Sequence, residues 1–321
     1  MDTISSAAGN LTKFFGAAVL VAGCAAWLGG CSSAASQMGK AFVSPQAAVE
    51  SVVTAVRNND QEQLKAILGP EAEDVIASGD PVNDAYNAAT FVQAFDKQHR
   101  LVPGPNGEMI LEVGPNNWPM PIPLVNTDGG WRFDTPAGID EVLSRRIGRN
   151  ELSTIQTCLA IVDAQRDYAE MDPRGDGSRE YAQRFISTPG RRDGLFWPTA
   201  EGEPPSPLGD LIGQAVEMGY VSNSPASPAS PRPFHGYLFR MLTSQGPDAP
   251  GGAMNYMAAG RMVGGFGVVA YPATYGNSGI KTFIVSDAGI VYEKDLGDDT
   301  HAEASAMQAF NPGPGWTKAA Q

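Results

Sequence analysis

The chain has 321 residues, with 22 Lys and Arg against 35 Asp and Glu, and a formal charge of -13. Charged residues make up only 18%, and Gly and Pro together form about a fifth of the chain against ~12% in average usage, a composition that implies many turns. The acidic balance and the lack of an extended basic run exclude a nucleic-acid partner, while three Cys and three His exclude a disulfide-built scaffold and a Cys-rich zinc module.

Residues 11–31 read LTKFFGAAVLVAGCAAWLGGC, with one cation, Lys13, ahead of an uncharged apolar stretch from Phe14 to Leu28. That stretch is too short to span hydrocarbon comfortably as a helix and has the length of a secretory signal. It ends in Leu28-Gly29-Gly30-Cys31, which resembles the lipobox of bacterial lipoproteins: a branched residue, two small ones, and the cysteine that is acylated. Val21-Ala22-Gly23-Cys24 matches as well, so Cys24 is the alternative site. Cys31 is favoured because cleavage at Cys24 leaves Trp27 and Leu28 in the tether. The resemblance implies a signal peptide over 1–30, a small-residue tether over 31–43, and attachment to a membrane through acyl chains. Ser32, in place of Asp, favours the outer membrane of a Gram-negative envelope with the body facing the periplasm.

In residues 44–137, Ser44-Pro45 is a helix start, with proline where its missing N–H costs nothing. Val49, Val52, Val53 and Val56 then form one apolar stripe. Asn58-Asn59-Asp60 breaks this helix and caps a second one carrying Leu64, Ile67 and Leu68, which Gly69-Pro70 ends. A third helix over about 84–98 brings Tyr86, Phe91 and Phe95 toward one face, and His99 falls in a charged run read as its solvated end. The period then changes. Short strands are expected over 109–113, 122–125 and 131–133, the last two joined by the hairpin turn Asp128-Gly129-Gly130. Helices followed by an antiparallel meander resemble the NTF2-like cone, in which a curved sheet wraps a helix and leaves a pocket.

In residues 138–321, Leu152, Ile155, Leu159 and Val162 carry a helical stripe that Tyr168 extends, so a long helix is expected over about 139–170. Strands follow over 235–241, 265–271, 281–285 and 290–294, with Asp287-Ala288-Gly289 turning the last pair. A helix ending Ala164-Gln165-Arg166-Asp167-Tyr168, then a glycine-rich loop and a sheet, resembles the globular domain of type IV pilins and pseudopilins. Asp140, Glu141, Arg145, Arg146 and Arg149 occupy the helix half that pilins keep apolar, so pilin-like polymerisation is not expected. The expected fold is therefore α+β: an NTF2-like unit over 44–137, then a pilin-like long helix packed on a four-stranded antiparallel sheet over 138–321.

The runs WRFDTPAGIDEVLSRRIGRNEL, DGLFWP, FHGYLFRMLTSQGPDAPGG, YGNSGIKTF and VYEKDLG resemble the bacterial family labelled domain of unknown function 2950. That family is chiefly exported and has no assigned activity, so the resemblance bears on location and architecture rather than on chemistry.

Few residues suggest chemistry. Arg145, Arg146 and Arg149 are the one basic cluster, read either as intramolecular ion pairs with Glu141 and Glu151 or as a docking patch for an acidic envelope partner. Asp172, Asp176 and Glu180 crowd a glycine-containing loop and are weak candidates for calcium, although their spacing is not that of an EF-hand. Cys158 lies beside an apolar stripe and reads as a buried thiol. Gly276-Asn277-Ser278-Gly279 superficially resembles a serine-protease nucleophile loop, but a turn between strands accounts for it. Ser222 to Pro233 is Pro/Ser-rich and reads as an exposed loop. No catalytic residue is assigned. The function expected is a binding or scaffolding lipoprotein, with an accessory of a pilus or secretion system and an envelope hydrolase as the alternatives.

Overall fold

Ser44 opens the first helix as expected: its hydroxyl accepts the amide of Ala47 at 3.1 Å, and α1 runs Pro45–Arg57. The computed structural model describes residues 39–220 and 232–320. The expected signal peptide, Cys24, Cys31, the first part of the tether and most of the 222–233 loop lie outside the described residues. The described residues belong to one compact unit, Gln37–Gln321.

Asp60 caps α2 (Gln61–Leu68) by accepting the amide of Gln63 at 2.9 Å. A short α3 (Glu73–Ile76) follows, and Asp80 caps α4 (Pro81–Lys97). The chain then forms β1 (His99–Pro103), β2 (Met109–Val113), β3 (Trp118–Pro119), β4 (Leu124–Thr127) and β5 (Gly130–Phe133). All pair antiparallel in the order β1-β2-β4-β5, with β3 against β2. Val49, Val52, Val53, Ile67, Phe95, Leu111, Leu124 and Phe133 form one buried cluster between these helices and the sheet. The run from His99 is not a helix end but the edge strand β1, and the His99 ring stacks on Phe95 with centroids 3.8 Å apart. Tyr86 is 46% exposed and does not share the buried face of α4. Residues 39–43 already lie on the body, where Phe42 exchanges backbone hydrogen bonds with Trp131.

Asp134 then caps α5, which runs Thr135–Met171 and so begins four residues earlier than the stripe alone implied. Its first turn lies against the segment before β4: a Cβ on Gly138 would sit 2.5 Å from the carbonyl oxygen of Pro121, so only glycine fits there. Val142 packs on the first cluster, whereas Ile155, Cys158, Ile161 and Val162 enter a second. One continuous helix thus joins the two cores.

After α6 (Gly209–Glu217), the strands are β6 (Tyr237–Leu242), β7 (Ser244–Gln245), β8 (Met254–Asn255), β9 (Met257–Ala258), β10 (Arg261–Met262), β11 (Gly267–Pro272), β12 (Lys281–Ser286) and β13 (Tyr292–Asp295). The short helix α7 (Thr300–Ala306), β14 (Ala309–Phe310) and β15 (Thr317–Lys318) complete the chain. The main sheet has the order β15-β13-β12-β11-β6, one strand more than the four expected. α5 covers the face carrying Val268, Ala270, Phe283 and Val285. Ala304 of α7 and Phe310 cover the other, against Leu242, Val269 and Ile284. Burial on both faces explains why β11 reads as an uninterrupted apolar run rather than an alternating one. Among the described residues, no helix is long and apolar enough to cross a membrane.

Candidate functional site

Residues of α4 and of the first half of α5, segments distant in sequence, meet residues of α1, α2 and α3 around one space. The result is a cleft with a cavity volume of about 460 Å³, within the range of small-molecule sites. Val52, Leu64, Leu68, Val75, Phe91 and Ile122 give it an apolar interior. A second recess of about 400 Å³ shares Asn87, Phe91, Trp118 and Arg149 with the first. Trp118 is 43% exposed at this junction, a large aromatic left in contact with water beside the opening.

The three arginines of the sequence cluster reach this cleft together but behave differently. Arg145 donates from Nε to Glu141 at 2.6 Å and from its terminal nitrogen to the carbonyl of Pro119 at 3.2 Å, and its guanidinium lies 5.1 Å from the centre of the Trp118 ring. Arg146 is 8% exposed. It donates to the carbonyls of Asp74 and Val75, each at 2.6 Å, and to the side-chain oxygen of Asn277. Burial is the main cause that lowers its pKa, with Asp84 opposing. Arg149 has no hydrogen bond or ion pair to any described residue, and its exposed guanidinium is still walled closely enough for desolvation to lower its pKa. Glu151, expected as a partner of this cluster, instead accepts the amides of Ile280 and Lys281 at 3.1 and 3.0 Å.

Asn277, which the protease-like motif contained, is a structural tie. Its amide nitrogen donates to Asp74 at 3.2 Å and to the carbonyl of Ala77 at 3.1 Å while its oxygen receives Arg146. Ser278 is buried, with its hydroxyl bonded to the backbone of Thr274. A second tie centres on Asp80, 1% exposed, which accepts the Tyr220 hydroxyl at 2.7 Å and the Gly236 amide at 2.9 Å besides capping α4. Gly236 has φ +77, and a Cβ there would meet the side-chain nitrogen of Asn150 at 2.7 Å. Burial and the Asp80 carboxylate both push the Tyr220 pKa up.

The calcium candidates lie elsewhere, after α5. Asp172 accepts the amides of Asp176 and Gly177, and Asp176 accepts the amide and hydroxyl of Ser178. Glu180 is 3% exposed and sits between Arg174 and Arg261, the latter at 2.9 Å. Arg261 also reaches Asp176 at 3.2 Å. Guanidinium groups thus meet the charge of two of the three carboxylates, and among the described residues no group of three or more His, Cys, Asp or Glu is placed to hold a metal ion. Cys158 is buried, and burial pushes its thiol up to about 12. His99 meets the carbonyl of Phe95, His301 meets the Tyr271 ring, and burial holds His235 below its ordinary pKa. Among the described residues, none of the three histidines bonds to a carboxylate.

The sequence pointed to the arginines and, through the NTF2-like resemblance, to a pocket, but not to where the cleft lies. Its lining comes from five helices, a strand and the segment that follows it, and in the sequence the arginines read as ion pairs or a docking patch rather than as part of a cavity. Fold and cleft together define a mixed α+β protein carrying an apolar cavity edged by arginine. The chain belongs to the family described as Protein of unknown function (DUF2950), whose family model matches residues 39–319. No curated protein and no solved structure matches it.

Proposed function

We propose that this chain is a cell-envelope lipoprotein, anchored through Cys31 with Cys24 as the alternative, whose folded part binds an apolar ligand in the cleft between α4 and α5. The observation that carries the reading is the cleft itself: ligand-sized, apolar inside and edged by cationic groups. Hydrolysis needs a positioned acid–base pair. His99 instead meets the carbonyl of Phe95, and His235 and His301 pack against aromatic rings, which favours binding over catalysis. Helices packed on an antiparallel sheet support an NTF2-like reading of the first part, and α5 on the main sheet supports a pilin-like reading of the second. The apolar stretch and lipobox-like run ending at Cys31 support a lipid-anchored, periplasm-facing location, and Ser32 supports the outer membrane.

Native mass spectrometry of the full chain released from membranes tests this reading. One small apolar molecule per chain is expected, and it should be lost when Ala88→Trp fills the cleft, with the circular dichroism spectrum unchanged. No bound molecule, together with no saturable one-to-one uptake of an apolar dye, would overturn it.

A further inference from the structure

We infer that the ligand of this cleft is a single-chain amphiphile with one anionic carboxylate head, held head-outward at Arg149 with its chain in the apolar recess. The inference rests on the binding reading above and adds the chemistry of the ligand. Arg145 already has Glu141, and Arg146 is occupied by Asp74, Val75 and Asn277. Asp84, which also lines the cleft, accepts the amide of Ser78 at 3.0 Å and lies near enough to Arg146 to oppose the lowering of its pKa. That leaves one cation, Arg149, without a partner among the described residues, at the junction of two apolar recesses in a chain of charge -13. An isolated guanidinium in a partly desolvated setting is a forked donor matched to a carboxylate. Desolvating a dianionic phosphate monoester costs more than desolvating a carboxylate, and one guanidinium would leave its second charge unpaired. Behind it, the recess of about 400–460 Å³ suits one alkyl chain and is apolar enough to favour each methylene it takes up.

Equilibrium dialysis of the full chain with octanoate, decanoate, decanol and decyl phosphate tests this, with Arg149→Gln as the variant. Decanoate should bind about fourfold tighter per added methylene than octanoate, and about tenfold tighter than decanol or decyl phosphate. Arg149→Gln should weaken decanoate about tenfold and leave decanol within twofold, with an unchanged melting temperature showing that the fold is kept. Decanol binding as tightly as decanoate, decyl phosphate binding more tightly, or Arg149→Gln weakening decanoate and decanol equally would overturn the carboxylate inference while leaving an apolar binding site. Absence of binding by every amphiphile would overturn the binding reading itself.

Discussion

Replacing Arg146 by methionine keeps a long apolar stem and removes the guanidinium that ties the α3 turn to the loop before β12. Three acceptors lose their donor: the carbonyls of Asp74 and Val75, each 2.6 Å away, and the side chain of Asn277. Each buried acceptor left without a partner costs about 1–3 kcal/mol. Against this, the variant no longer has to desolvate the guanidinium, a penalty visible in the lowered pKa of Arg146. A net loss of about 3 kcal/mol is expected, which for a body of this size lowers the melting temperature by roughly 5 °C. Thermal unfolding followed by circular dichroism gives the number, and hydrogen exchange should quicken at residues 74–77 and 274–278 together. Arg145→Met is the control, because its main partner is an exposed Glu141 one helical turn away, a contact worth about 0.5 kcal/mol. If the two variants melt within 1 °C of each other, the assigned role of Arg146 is wrong.

Alkaline pH should destabilise the protein through Cys158. Its thiol ionises near 9.0 in the unfolded chain but is pushed up to about 12 by burial in the fold. Above pH 9 the unfolded state therefore holds fewer protons, and stability should fall by about 1.4 kcal/mol per pH unit until the folded thiol titrates. Tyr168, raised by burial to about 12, adds a second loss beginning near its ordinary value of 10.0. Urea midpoints from pH 7 to pH 10.5 should show a shallower decline in Cys158→Ala than in the parent; equal slopes would contradict the burial argument. For the anchor, metabolic labelling with a palmitate analogue should mark the parent and Cys24→Ser but not Cys31→Ser. Label retained in Cys31→Ser and lost in Cys24→Ser would move the site to Cys24.

The helices were legible where local chemistry decides them. Ser44, Asp60 and the valine stripe set α1 and α2, and the caps observed are those the residue types imply. Strands β2, β11 and β12 were legible from short β-branched runs bounded by glycine and turn residues. β1 was not, because an edge strand exposes His99, Arg100 and Pro103 and so resembles a solvated helix end. α7 and β15 were missed because they are short and their order comes from packing on the main sheet, not from their own pattern. The position of the cleft and the ties beside it were the least legible features. Arg146 and Asn277 are 131 residues apart, and no local period announces their contact. The sequence showed three similar arginines; only tertiary packing distinguishes the buried tie, the paired cation and the unpartnered one.

Photo-crosslinking of the full chain with a diazirine-bearing fatty acid, followed by peptide mass spectrometry, reads out where a bound chain lies. Adducts are expected within residues 52–91 and 118–149, and Ala88→Trp should abolish them. Adducts spread over the main sheet, or unchanged by Ala88→Trp, would contradict the assignment of the α4–α5 cleft as the binding site.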